Sequence, residues 1–407
     1  MEQNGNASGQ ASGALPPAKE PLWSRGFTRI WIMNLVLCSW AFMLNAPFPI
    51  YIVQLGGSEL LVGIVVAGFA LTSIIMRPIA GWMVDNRSRG GLLKWGLAFI
   101  FIISLLYLVA PILSVAVTLR VVSGFLYSGA STACNTNACD AIPKRRFGEG
   151  LGLLGLGNTL ATALGPALGL AVLSAFGSTA LFAASFGVAL LAVVIARGLS
   201  FKNVQRRPYF PIREKIRPSE LFNKDALPAS AVMLFSSAPY GGVQAFIALY
   251  GAAYGLGAAG VFFILLALGT GSTRVFAGRI ADRRGEKPML AIGNGFFFAA
   301  LLMLLLKNTP CYYLSGLFFG FGFGFSIPAM QSMSMRVVPP EKRGSASSTF
   351  LCAYDVSSVL GGLAAGGLVT IMGYRPMFAL LGVYLVISCL IYIFWASKTP
   401  SAFANLR

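Results

Sequence analysis

Long apolar runs separated by short polar connections dominate this chain of 407 residues. A helix needs about 20 apolar residues to cross the hydrocarbon core of a bilayer. Twelve runs reach that length, at approximately 28–53, 59–80, 92–110, 113–137, 149–173, 177–196, 227–250, 258–279, 289–306, 311–335, 346–371 and 376–396. The pattern predicts an all-α membrane protein with twelve transmembrane helices.

Composition agrees with this prediction, because 56% of the residues are hydrophobic and only 11% are charged. The net charge of +18 would suggest nucleic-acid binding in a soluble protein. With a cytoplasmic N-terminus, however, 28 of the 31 Lys and Arg fall on the cytoplasmic side, whereas Lys307 and Arg375 fall outside and Arg120 lies within a span. The positive-inside rule explains this asymmetry. We therefore expect an even number of spans, both termini in the cytoplasm, a location in the inner (plasma) membrane and no nucleic-acid partner.

The longest internal polar stretch divides six spans from six. The predicted organisation is a disordered cytoplasmic tail at 1–26, a six-helix bundle at 27–197, a cytoplasmic linker at 198–226, a second six-helix bundle at 227–397 and a cytoplasmic tail at 398–407.

The two halves are repeats of one another. Gly81 and Asp85 recur 197 residues later, and Pro143, Gly148 and Gly165 recur 196 residues later. Two parallel six-helix repeats around a site near the bilayer midplane are typical of secondary transporters. The repeats therefore predict transport of a small molecule across the membrane.

Asp355 lies about 15 Å into the eleventh span, counted from Ser345 at 1.5 Å per residue. Desolvation stabilises the neutral form of a carboxylate, so a carboxylate at that depth can load and release protons near neutral pH. We predict that Asp355 carries protons. The alternatives are a permanent ion pair with Arg120 or a neutral structural carboxyl group.

Two more charged residues lie within or at the end of the fourth span. Arg120 is about 10 Å from the outer end, and a cation at that depth is a functional-site hypothesis by default. Its alternative is a structural hydrogen bond within the bundle. Asp140 ends the span, where a carboxylate opposes the helix dipole. Arg77 is the best candidate for its cationic partner, and a solvated loop position for Asp140 is the alternative.

Polar residues within the spans are candidates for the walls of a substrate cavity, although any of them could instead satisfy a backbone group. They are Asn34, Asn45, Tyr127, Asn135, Asn158, Gln244, Gln331 and Tyr354. The chain contains 31 Phe residues, which favours a cavity with aromatic walls and an amphipathic or drug-like ligand.

The chain has no His and no closely paired Cys, so we expect no metal site and no cofactor. A membrane-embedded enzyme is therefore disfavoured. A channel is disfavoured because the repeated halves indicate alternation rather than a selectivity filter.

Three motifs resemble those of the major facilitator superfamily. Residues 81–89 resemble its signature loop, G-x-x-x-D-R-x-G-R, with Asn86 and Ser88 in place of the usual Arg and Gly, and residues 278–286 form a second copy. Residues 119–124 resemble the motif R-x-x-x-G. Residues 157–169 are similar to the antiporter motif of drug:proton exchangers. The resemblance covers the chain from about 27 to 397.

The resemblance implies the major facilitator fold, with twelve helices in two pseudo-symmetric bundles. It also implies a monomeric proton-coupled antiporter, closest to the twelve-span drug:proton group, that exports a small organic or drug-like molecule, including multidrug efflux. Proton-coupled uptake, or movement of a lipid or a metallophore, is the alternative within the family. Arg120 would then face the cavity and take part in proton coupling or substrate binding.

The family also implies a latch that closes the cytoplasmic side. Its residues here are Asp85, Arg87, Arg89, Asp282, Arg283, Arg284, Arg77 and Asp140. Ordinary positive-inside charge is the alternative interpretation of the loop residues. Gly165, Pro166 and Gly169 allow either helix bending or plain close packing.

Overall fold

The computed structural model describes residues 22–45, 47–57, 59–109, 112–199 and 221–398. Within these ranges the chain is almost entirely helical and contains no strand. The helices are α1 Arg25–Met43, α2 Pro47–Gln54, α3 Glu59–Asn86, α4 Arg89–Val109, α5 Leu113–Ala141, α6 Phe147–Arg197, α7 Leu227–Tyr254, α8 Ala259–Arg284, α9 Glu286–Leu304, α10 Thr309–Arg336, α11 Arg343–Met372 and α12 Tyr374–Phe394.

These helices do not correspond one to one with the twelve membrane spans, and two irregularities account for the difference. Helices α1 and α2 together form the first span, and a turn at Leu44 and Asn45 follows the end of α1. Helix α6 has 51 residues, or about 77 Å, which is too long for one crossing. Gly177 breaks it with a φ of 80°, a conformation that favours glycine, so α6 contains the fifth and sixth spans.

The helices form two bundles, α1–α6 and α7–α12, each with its own apolar core. In the first half α1 packs against α6 and α3 against α5, and in the second half α7 packs against α11 and α8 against α10. Across the halves the main pairs are α3 with α11 and α6 with α8. These two pairs are equivalent under the repeat. The predicted all-α fold of two pseudo-symmetric six-helix bundles is confirmed.

Apolar side chains cover much of the outer surface of the bundles. Phe176, Leu363 and Ile371 are each at least 70% exposed. Of the described helical stretches, eight are long and apolar enough to cross a membrane by length and composition. A surface of this kind suits contact with lipid rather than water.

One end of the helices carries most of the charged connections. We call it the basic end and define it by residues 86–89, 141–147, 284–287 and 336–343. The opposite end, called the far end, contains the turns at 55–57, 254–259, 304–309 and 372–374. The predicted tails at 1–26 and 398–407 and the linker at 198–226 lie largely outside the described residues.

Close packing of α1 against α6 requires the glycines of the predicted helix-bend motif. A Cβ atom at Gly165 would lie 2.9 Å from the Cβ of Phe42, and one at Gly169 would overlap the carbonyl oxygen of Met43. Pro166 lies within α6. These contacts match the close-packing interpretation of the motif.

We expect Gly169→Ala to destabilise the first bundle. The added methyl group meets backbone rather than a movable side chain, and overpacking of this kind costs about 1–3 kcal/mol. A thermal-unfolding assay on the purified protein should show a lower midpoint. Gly187→Ala, in the same helix, is the control, because a Cβ there meets open space. Equal midpoints for the two variants would contradict the packing argument.

Candidate transport site

A buried ion pair joins the two halves in the middle of the helices. Arg77 on α3 donates from Nε to Oδ2 of Asp355 on α11 at 2.7 Å, and from Nη2 to Oδ1 at 3.4 Å. The side chains are 7% and 22% exposed, respectively. Arg77 also donates to Oγ of Ser131 at 3.1 Å. Arg77 and Asp355 lie about 14 and 18 Å from the basic ends of their helices, at 1.5 Å per residue.

A hydrogen-bonded group of uncharged side chains adds a second link between the halves. Asn135 on α5 donates to Oγ of Ser347 on α11 at 2.7 Å. Gln331 on α10 donates to Oδ1 of Asn135 at 3.0 Å. Both amides are buried, so their bonds replace those lost to water. Two of the predicted cavity residues thus form part of the interface between the halves.

Four polar side chains form a cluster within the first half. Asn34 on α1 donates to Oδ1 of Asn158 on α6 at 2.6 Å, and the thiol of Cys38 donates to the same oxygen at 3.2 Å. The hydroxyl of Tyr127 lies 3.6 Å from the sulfur of Cys38. Asn34, Tyr127 and Asn158 are among the predicted cavity residues, whereas Cys38 is not.

Arg120 lines a cavity of about 250 Å³ in the part of the first half that lies towards the far end. Its guanidinium donates to Oδ1 of Asn45 and lies over the rings of Phe48 and Phe69, 5.2 and 4.5 Å from their centroids. Its Nη1 is buried without a hydrogen-bond partner. The alternative of an Arg120–Asp355 ion pair is therefore wrong, since Asp355 pairs with Arg77.

The remaining cavity candidates lie in the second half. Tyr354 is half-buried next to Asp355 and packs against the apolar core, whereas Gln244 on α7 is exposed. Arg77 and Arg274, which the sequence analysis counted among the cytoplasmic cations, are buried inside α3 and α8. Their long helices continue past the apolar runs, so both residues lie deeper than their position in the sequence pattern indicated.

At the basic end, Asp85 on α3 binds the first turn of α11. Its two carboxylate oxygens accept from the backbone N–H groups of Gly344 and Ser345 at 2.6 and 2.7 Å. A carboxylate at a helix N-terminus satisfies free donors and complements the helix dipole. The latch contact of Asp85 is thus made to backbone donors, which a search by residue type does not reveal.

Asp140 forms the other main contact at this end. It accepts from Arg89 in its own half and from Arg343 of the other half, the latter at 2.9 Å. Arg89 also donates to the carbonyl oxygen of Pro340 across the halves. The predicted Arg77–Asp140 pair is wrong, because Arg77 lies deeper in the bundle and pairs with Asp355.

Glu149 and Arg279 form a further contact between the halves that the sequence analysis missed. Glu149, in the first turn of α6, accepts from Arg279 of α8 at 2.8 Å and from Arg146 at 2.7 Å. Its position one residue after the repeated Gly148 was the available signal. Among the other predicted latch residues, Arg87 lies over the ring of Trp82, and Arg283 and Arg284 are exposed. The side chain of Asp282 lies outside the described residues.

We expect Asp85→Asn to weaken closure of the basic end and to slow transport. Asn can present only one oxygen, and its NH₂ group would face a backbone donor, so about 1.5–3 kcal/mol of charge-assisted bonding is lost. Transport rates and distances between labels on the two halves would measure the effect. Asp225→Asn, at an exposed position, is the control. Wild-type kinetics in Asp85→Asn would contradict a latch role.

Within the described residues, no group of three or more His, Cys, Asp or Glu side chains is placed to hold a metal ion. The charged groups that link the two halves are arginines and carboxylates. An inter-half ion pair in the middle of twelve membrane helices, together with contacts that join the halves at one end, is the arrangement of an alternating-access membrane transporter.

Comparison with known sequences agrees with this class. The sequence pattern of the Major Facilitator Superfamily matches residues 30–272 and 257–406, so the chain belongs to this superfamily of membrane transporters. It is 23% identical to the staphylopine export protein of Staphylococcus aureus over 396 residues, covering 93% of this chain and 98% of that protein. It is 24% identical to the uncharacterised transporter YhhS of Escherichia coli over 400 residues, covering 94% and 96%.

Solved structures share the fold at low sequence identity. The human organic anion transporter MFSD10 (TETRAN) matches with a TM-score of 0.77 and 13% identity, covering 90% of this chain and 98% of that one. A bacterial homologue of the iron transporter ferroportin in an outward-facing state matches with a TM-score of 0.69 and 16% identity, covering 92% and 100%. The multi-pass membrane topology follows from this fold.

Proposed function

We propose that the protein exports a small organic molecule in exchange for protons by alternating access, with Asp355 as the proton carrier. The observation that carries this proposal is the ion pair between Arg77 and Asp355, which joins α3 to α11 in the middle of the bundle. The charge of the Asp355 carboxylate controls an ion pair that links the two halves. Its protonation state therefore bears directly on whether the halves can separate.

The proposed cycle follows from the charge on that carboxylate. While Asp355 is ionised, its attraction to Arg77 holds α3 and α11 together. A proton can reach Asp355 from the side of the membrane at the far end, called the far side. It neutralises the carboxylate and removes the attraction, so the helices can part at the basic end. Release of the proton to the side of the membrane at the basic end, called the basic side, restores the ion pair. Each cycle thus moves a proton from the far side to the basic side while substrate moves the other way.

The contacts at the basic end support the orientation of this cycle. Asp85, Asp140 and Glu149 of the first half all bind residues of the second half there. In our proposal the basic end is cytoplasmic, both termini lie in the cytoplasm, and the protein acts as a monomer in the plasma membrane. The state described is then closed to the cytoplasm, as expected for an outward-facing transporter. The name of the staphylopine export protein favours export over uptake.

Proteoliposomes that contain the purified protein and a pH-sensitive dye test the proposal. With the inside made acidic, addition of amphipathic drugs, sugars or metal chelators one at a time should release protons when a compound is transported inwards. An imposed pH gradient should accumulate the same compound against its concentration. Flux that is independent of the gradient would overturn proton coupling, and proton movement in the same direction as the compound would indicate uptake by symport instead.

A further inference from the structure

A second buried arginine, Arg274 on α8, has no acidic partner among the residues that the structure describes. It is 6% exposed, and its Nε and Nη1 atoms lack hydrogen-bond partners. No described carboxylate forms an ion pair with it. Its guanidinium lies against the backbone of α6 in the other half, because a Cβ at Gly155 would overlap Nη1. The absent side chain at Gly155 therefore makes the space that Arg274 occupies at the interface.

The repeat between the two halves explains why Arg274 lacks a described carboxylate partner. Arg274 follows Arg77 by 197 residues, the same offset that relates Asp85 to Asp282. Counting back 196 residues from Asp355 gives Thr159, one helical turn from Gly155. Helices α6 and α8 thus repeat the arrangement of α3 and α11, with the cation kept and Thr159 in place of the carboxylate. The hydroxyl of Thr159 donates to the carbonyl oxygen of Gly155 at 3.1 Å.

We propose that the transported molecule is an organic anion, such as a carboxylate, and that Arg274 binds its anionic group. The inference rests on the transport function proposed above and adds the class of substrate. The substrate's negative charge takes the place that Asp355 fills at the equivalent position. Two unsatisfied N–H groups on a buried guanidinium are strong donors for a carboxylate or phosphate oxygen.

The charge balance of the middle of the bundle supports an anionic substrate. Arg77 and Asp355 neutralise each other, and Arg120 lies nearer the far end, whereas Arg274 leaves a positive charge in the middle that no described carboxylate compensates. An unpaired charge held within the hydrocarbon layer is costly. A bound anion removes that charge, so the loaded transporter can change conformation more readily than the empty one.

The position of Arg274 also indicates the side from which the anion enters. It lies about 15 Å from the basic end of α8, at 1.5 Å per residue, and α6 covers it in the state described. Separation of the two halves at the basic end would draw α6 away from α8 and expose the guanidinium to that side. Arg274 is thus placed to take up substrate from the basic side, as export requires.

Thr159→Asp tests the site without any ligand. The new carboxylate would rebuild at α6 and α8 the pair that Arg77 and Asp355 form, so we expect a higher thermal-unfolding midpoint than for Thr159→Asn, which has the same shape without the charge. A midpoint for Thr159→Asp equal to or below that of Thr159→Asn would overturn the claim that Arg274 is open to an anion.

Binding of matched compounds to the purified full-length protein tests the substrate class. The probes are 4-phenylbutanoate, its amide and 4-phenylbutylamine. We expect the carboxylate to bind about tenfold or more tightly than the amide, and this preference to fall to about threefold or less in Arg274→Gln. Lys287→Gln, which removes an exposed cation, should keep it. No preference in the wild type, or an unchanged preference in Arg274→Gln, would overturn the inference.

The two proposals fail in different ways. If proton coupling is wrong, flux of every probe in wild-type proteoliposomes will ignore the pH gradient, while the preference for the carboxylate and its loss in Arg274→Gln remain. If the anion site is wrong, wild-type flux will follow the gradient, but Arg274→Gln will select among the three probes as the wild type does.

Discussion

Replacement of Asp355 by Asn should abolish proton-coupled transport and leave a folded protein. Asn has the shape of Asp but carries no proton that it can exchange and no charge to hold Arg77. The loss of one partner from a buried ion pair costs about 3–5 kcal/mol, and the 22% exposure of Asp355 puts the expected cost at the low end. Arg77 keeps its hydrogen bond to Ser131, which limits the damage.

Two measurements separate coupling from stability. Solute flux driven by a pH gradient should vanish in Asp355→Asn, while size-exclusion chromatography shows an intact protein with a lowered unfolding midpoint. In the double variant Arg77→Gln/Asp355→Asn the unpaired cation is also removed, so stability should recover while coupling stays absent. Wild-type coupled flux in Asp355→Asn would exclude Asp355 as the proton carrier.

The fold was largely predictable from hydrophobicity, because a membrane-spanning helix must be long and apolar. The run at 59–80 predicted the start and the middle of α3 but not its continuation to Asn86, since a helix keeps its backbone hydrogen bonds after it leaves the hydrocarbon layer. The run at 28–53 did not show that α1 ends before Asn45, because that end depends on local backbone geometry. The separate runs at 149–173 and 177–196 did predict the division of α6, which falls at Gly177.

The sequence predicted how deep the site residues lie in the bundle, but not which residues form ion pairs with each other. Counting residues along a helix located Asp355 near the middle of the bundle, because the rise per residue is constant. The side of the helix that faces a neighbour depends on how the two halves dock, so the Arg77–Asp355 pair was missed and Arg77 was assigned to Asp140. The repeat did contain a further signal, since Arg77 and Arg274 share the offset of the signature loops.

Replacement of Asp140 by Asn should open the basic end more strongly than any other single change there. Asp140 accepts from two arginines, Arg89 and Arg343, whose side chains are only 2% and 7% exposed. Without the carboxylate, two buried guanidinium groups face each other with like charge. Of the two lost bonds, only the one to Arg343 joins the halves, and its loss at about 1.5–3 kcal/mol should favour separation of the halves by about tenfold or more.

Distances between spin labels at Arg145 and Lys342, exposed positions in the two halves at the basic end, would report that separation. In a background without the six native cysteines, Asp140→Asn should shift the distribution to longer distances. Glu286→Gln is the matched control, because Glu286 pairs with Arg336 inside the second half at the same end. The control should keep the closed distribution, since its ion pair does not join the halves. A closed distribution in Asp140→Asn as well would mean that the Asp85 and Glu149 contacts suffice to hold the basic end shut.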